Sequence, residues 1–159
     1  MTKTIATLPG WLMFIILMVP CFLSSHFPPP LSSFIVLVVV IPWLYSLGAE
    51  AQEIIPDEFR SPFNRFKYAL LYFAAYALVG SKLLANEDIA LYVAPFHLLA
   101  MACIFYCFHF IAKTIRSIEL NRQATFGDWL AVFFALWFFP IGVWFIQKKM
   151  KRILVTNNQ

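Results

Sequence analysis

Charge is what this sequence has least of. Asp, Glu, Lys and Arg make up 13% of its 159 residues, where soluble domains carry roughly 25%. From Thr4 to Ala49 there is none at all. A soluble fold would leave much of that surface against water, so the shortage excludes an ordinary globular domain. Glycine is also scarce, at five residues, and no Gly-rich phosphate loop motif is present. Cys21, Cys103 and Cys107 all lie inside apolar runs. That excludes a disulfide framework in polar loops and leaves the redox compartment unread. The longest polar stretch is about 20 residues, Gly48 to Lys67, too short for a separate soluble domain.

Apolar residues are what the chain does have. They form 62% of it, and Phe occurs 18 times. The runs are long and uninterrupted, unlike the roughly 10-residue alternating segments of an outer-membrane barrel. The expected class is all-α: a polytopic integral membrane protein whose residues 1–159 form one transmembrane domain. The first apolar run follows a single Lys3, has no Ala-x-Ala site and leads directly into "HFPPPLSSF". These features predict a retained helix rather than a cleaved signal peptide.

Helix signals divide the chain into two hairpins and a fifth apolar segment. The first helix is expected over 8–27, with Thr7 as cap, Pro9 in the first turn and Pro20 inside. "PPP" at 28–30 stops it. The second is expected over 31–47. A polar segment follows, acidic at Glu50, Glu53 and Asp57, then basic, and reads as a solvated loop; Pro56 argues against regular helix through Asp57. The third helix is expected over 62–84, with Ser61 as cap and Pro62 at the first position. "ANED" is a short turn. The fourth is expected over 89–122; it is apolar to Ala112, then amphipathic through "KTIRSIELNR". Thr125 and Asp128 have capping-box spacing and open the last segment, 126–147. No fixed-period repeat is present.

Lys and Arg in short loops set membrane orientation. With a cytoplasmic N-terminus, Lys3, then Arg60, Arg65 and Lys67, then Lys113, Arg116 and Arg122 all fall inside for four crossings. The two outer turns carry no cation. A fifth crossing would put Lys148, Lys149, Lys151 and Arg152 outside, against the rule. A break at "PIG", Pro140 to Gly142, lets the segment re-enter and return that cluster inside. Yet the charge-free stretch Trp129–Gln147 is long enough to span, and Trp129 and Trp144 can mark two interfaces. Both threadings stay open at this stage: a re-entrant or in-plane segment, or a kinked fifth span. The nine cations Arg60, Arg65, Lys67, Lys113, Arg116, Lys148, Lys149, Lys151 and Arg152 suit an anionic inner leaflet. A net charge of +4 distributed in this way is not a nucleic-acid footprint.

Candidates for chemistry are few. Lys82, near the outer end of the third helix, reads as a snorkelling anchor. His97 and His109 are twelve residues apart, 120° around one helix, so they face different neighbours. A pairing of His26 with His97 around haem or a metal has nothing to specify it, and no cofactor is expected. Cys103 and Cys107 share a face with Ala100, a small-residue packing stripe. Tyr68, Tyr72 and Tyr76 form another stripe, able to line a groove or seek interhelical partners. A divalent-cation site at Glu50, Glu53 and Asp57 is disfavoured by Pro56. Carboxylates are absent from every apolar run, unlike the first helix of small multidrug exchangers. No zinc-protease, rhomboid-type or disulfide-oxidase pattern is present.

The expected function is therefore association: an accessory, anchoring or self-assembling protein of the bacterial cytoplasmic membrane, partnered by lipid and by itself or another membrane protein. The alternative is an oligomeric channel or passive transporter with 129–147 lining a cavity. A membrane enzyme using the cytoplasmic carboxylates or His109 ranks last.

Overall fold

The computed structural model describes residues 5, 8–28, 31–84 and 87–156, excepting the side chains of 81, 82, 84, 87, 88, 90, 140 and 141. It is all-helical, with no strand among the described residues. The helices are α1 (Gly10–Ser24), α2 (Leu31–Ile54), α3 (Phe63–Leu84), α4 (Glu87–Leu120), α5 (Phe126–Trp137) and α6 (Phe139–Thr156), with one 3-10 turn at Asp57–Phe59. Two stretches are long and apolar enough to cross a membrane, Leu31–Ile54 and Leu91–Leu120; α1 and α5 are apolar but shorter.

Each helix packs on the next in chain order, and α6 closes the ring by returning to α1. Ring contacts fix the directions. Phe66 of α3 stacks on Phe110 of α4 at 4.9 Å, whereas Tyr76 meets His97 at 5.7 Å further along, so α3 and α4 are antiparallel. His109 meets Trp129, and Phe105 stacks on Trp137, so α5 runs back along α4. The α2–α3 and α3–α4 pairs, together with Arg116, Arg122 and the last turns of α6, bring the basic residues to one end of the bundle.

Most expected boundaries hold to within about three residues, and two corrections have clear causes. The second helix does not stop at 47. Gly48, Ala49 and Ala51 continue it to Ile54, because Pro56 is the first residue that cannot. Gly48 is needed there: a Cβ would lie 2.7 Å from the Phe66 ring of α3. The last segment is two helices rather than one over 126–147. Asp128 Oδ2 accepts from the Thr125 backbone N–H at 2.8 Å and from its hydroxyl at 2.7 Å, which fixes the start of α5. Phe138, at φ −79° and ψ 55°, leaves helical geometry and ends it. Pro140 then stands in the first turn of α6, where its missing N–H has no intrahelical role. The helix runs on through the basic cluster to Thr156, because Met150, Ile153 and Leu154 are buried at helical spacing.

The chain reverses between α5 and α6. Ala135 and Gly142 would stand about 10 Å apart along a straight helix. Here a Cβ on Gly142 would lie 1.4 Å from the Ala135 carbonyl oxygen. No described glycine has positive φ, so Gly142 serves close approach rather than an unusual backbone shape. The tip of the hairpin packs into the bundle, with Phe139 edge-on to the buried Trp43 of α2 at 5.4 Å.

Gly142→Ala should destabilise the purified chain by about 3 kcal/mol, because backbone must move. Gly127→Ala, with nothing within 4 Å of its Cβ position, should be neutral or slightly stabilising. Thermal unfolding of the two variants beside the wild type checks both.

Candidate functional site

The polar chemistry gathers at the basic end. The α2 helix carries Trp43, Ser46 and Glu50 at i, i+3, i+7 spacing, so one face presents all three. All three are buried, Glu50 at 1% exposure. Ser46 donates to the Trp43 carbonyl at 2.9 Å. Neither Glu50 carboxylate oxygen has a donor, and Trp43 Nε1 has no acceptor. An unpaired carboxylate in a protein interior is costly, which makes Glu50 the most unusual group among the described residues. Sequence reasoning had put it in a solvated loop. Its burial follows from the longer α2, and the absence of a helix breaker before Pro56 was the available signal.

Gln147 of α6 is the second buried polar group. Its Nε2 donates to the carbonyls of Ile5 and Leu8, at 2.8 and 3.3 Å. This ties α6 to the segment preceding α1, where Phe14 and Trp144 also meet edge-on at 6.2 Å. Gln147 Oε1 is left without a donor.

An ion network pins the hairpin to α4. Glu119 accepts from Arg116 within its own helix and from Lys149 of α6, both at 2.5 Å. Arg122 holds both oxygens of Asp128, at 2.9 and 3.2 Å, and Arg116 Nε donates to the Asp128 carbonyl at 2.9 Å. Asn121, in the left-handed region at φ 47°, ends α4, and Ser117 Oγ accepts from the Ala124 N–H. Burial of Glu119 opposes its ionisation, but the hydrogen bonds from Lys149 and Arg116 outweigh that and hold its carboxyl below the usual range. Asp128 is held far below it, first by the Thr125 N–H and then by Arg122 and the Thr125 hydroxyl.

The other sequence candidates fall in two places. Tyr72, Tyr76 and His97 come together between α3 and α4, far from the basic end. Tyr72 Oη donates to the Phe96 carbonyl at 3.4 Å, and Tyr76 Oη is buried without an acceptor. His109 is separate, edge-on to Trp129 at 4.4 Å. Cys107 donates weakly to the Phe66 carbonyl at 3.9 Å, in keeping with a packing stripe. Arg60 pairs with Asp57 at 2.8 Å, Lys67 lies over the Phe63 ring at 4.9 Å, and Arg65 follows Asn64 on exposed α3 surface. The side chain of Lys82 lies outside the described residues. No group of three His, Cys, Asp or Glu suited to a metal occurs among the described residues. Ser25 Oγ lies 3.2 Å from the neighbouring His26 Nδ1, both exposed at the end of α1. Comparison with protein-family models, curated proteins and solved structures finds no match.

The Glu119 network has a definite pH signature. A lowered folded value means its stability contribution is present above the carboxyl's ordinary 4.5 and is lost as pH falls through the lowered value. Glu119→Gln should cost roughly 1–2 kcal/mol at pH 7. That gap to the wild type should close in strong acid, as read by thermal unfolding at both pH values.

Proposed function

We propose that this chain is a small integral membrane protein that works by association, as a self-assembling or accessory subunit rather than an enzyme. The supporting observation is the apolar exterior. Each of α1 to α6 exposes large apolar side chains, among them Phe22 at 74%, Leu91 at 81% and Phe145 at 63%. Soluble monomers do not carry apolar surface on this scale. Lipid, or a second apolar protein surface, removes it from water.

In the proposed threading, α1 to α4 cross the bilayer, with the N-terminus and the basic end in the cytoplasm of a bacterium. The α5–α6 hairpin enters from the cytoplasmic face and returns. At 12 residues, α5 reaches about 18 Å, roughly half a membrane. The backbone break at its tip is then covered by Trp43 and Phe105, as membrane-depth irregularity requires. The amphipathic end of α4, from Lys113 on, lies outside the bilayer; Arg116 and Lys149 bind Glu119 there, and the cations outside that network face the anionic leaflet.

Association is favoured over a channel by the cavity between the hairpin arms. It measures about 400 Å3 and is lined by Val132, Phe134, Ala135, Phe138, Gly142 and Phe145 among others. Apart from Lys149, those walls are apolar and suit a partner's side chains.

In cells, the chain should stay in the pellet after alkaline extraction and high-speed centrifugation. A cysteine placed after Arg152 should react with an impermeant label only once the cells are opened. The protein from mild detergent should elute as an oligomer or with another protein. A lone monomer would count against association, and a released, soluble chain against the membrane reading itself.

A further inference from the structure

One face of α6 carries Gly142, Phe145, Lys149, Arg152 and Thr156 at i, i+3, i+7, i+10, i+14 spacing, so all five follow one line along the helix. The first three line the cavity of about 400 Å3 between the hairpin arms. The last two, with Ile118 and Glu119 of α4, line a neighbouring cavity of about 440 Å3. Along this line the walls are apolar for two turns, and then two cations follow. Their charge is not cancelled. Arg116 and Lys149 share one carboxylate, that of Glu119, and Arg152 has no ion pair among the described residues. Three cations against one carboxylate leave two positive charges in excess. Lys149 gives one N–H to Glu119, and its ammonium has two more.

In the threading above, the hairpin tip is deep in the bilayer and Lys149 is at its cytoplasmic surface. Gly142 to Lys149 rises about 11 Å, against roughly 15 Å of hydrocarbon in one leaflet. The apolar walls alone would suit a partner's side chain equally well. Only an amphiphile with an anionic end meets the cations too. We propose that this track holds one anionic phospholipid of the inner leaflet, with an acyl chain between α5 and α6 and its phosphate at Lys149 and Arg152. A zwitterionic headgroup would bring its own ammonium to a place already in positive excess. The other exposed helix faces stay open for association. The assignment rests on the membrane reading above.

Native mass spectrometry of the full chain in mild detergent, with phosphatidylglycerol and phosphatidylcholine of matched acyl chains, tests it. The expected result is a roughly tenfold preference for phosphatidylglycerol. Arg152→Gln, at an exposed position clear of the Glu119 network, should remove most of that preference. Arg65→Gln, an exposed cation on α3, should leave it intact. Ala131→Phe, which fills the cavity from its exposed wall, should lower retention of both lipids without lowering the unfolding temperature. Equal retention of the two lipids, or an equal loss in Arg152→Gln and Arg65→Gln, overturns the proposal, the second by showing diffuse attraction instead of a site. A co-purifying protein chain released by Ala131→Phe would give the cavity to that partner and overturn it as well. If the preference is absent while the chain stays in the alkaline-washed membrane pellet, the lipid site falls and the membrane reading stands.

Discussion

Contact between Gly142 and the Ala135 carbonyl is the constraint from which the rest of this architecture follows. A side chain at 142 would force the two backbones apart and weaken the packing of α6 back on α5. Because it does double back, Phe139 reaches Trp43 in the bundle, Gln147 reaches the carbonyls ahead of α1, and Lys149 reaches Glu119. The ring of six helices is closed by those contacts. The fold thus depends on a short-range steric permission, and the longer-range polar contacts secure what that permission allows.

Much of this was legible in the residues. Apolar runs bounded by proline gave the helices, Thr125 and Asp128 gave the start of α5, and the Pro-x-Gly break gave the place where the last segment divides. Charge bookkeeping also argued that the terminal cations belong with Lys113 and Arg116, and the Lys149–Glu119 contact puts them there in the folded chain. The mode of the break was not legible. Sequence suggests that glycine bends the backbone; the folded chain uses it as a gap for a neighbouring carbonyl. Such a requirement is tertiary, and residue 142 alone does not reveal what stands beside it.

The candidate site was harder to see for a related reason. Glu50 and Gln52 fall in the polar stretch after Leu47 and Gln147 borders the lysines at 148 and 149, so hydropathy assigns the first two to a loop and the last to the end of a span. Their burial comes from neighbouring elements: α3 covers the end of α2, and Ile5, Leu8 and α1 pack on α6. Tyr72, Tyr76 and His97 were selected individually from α3 and α4, yet only hairpin register brings them together. Buried carboxylate and amide oxygens without donors, at Glu50, Gln52 and Gln147, lie in α2 and α6, and Tyr76 Oη of α3 is buried without a partner as well. On the proposed reading, the exposed apolar helix faces meet lipid and partners.

The most direct measurement of the central claim is a distance across the reversal. Spin labels at positions 126 and 152, both exposed, in a background lacking Cys21, Cys103 and Cys107, would report it by pulsed electron resonance. A continuous helix separates those backbones by about 39 Å. The doubled-back hairpin predicts a single population at well under half that separation. A distribution centred near the extended value would contradict the reversal and every contact built on it.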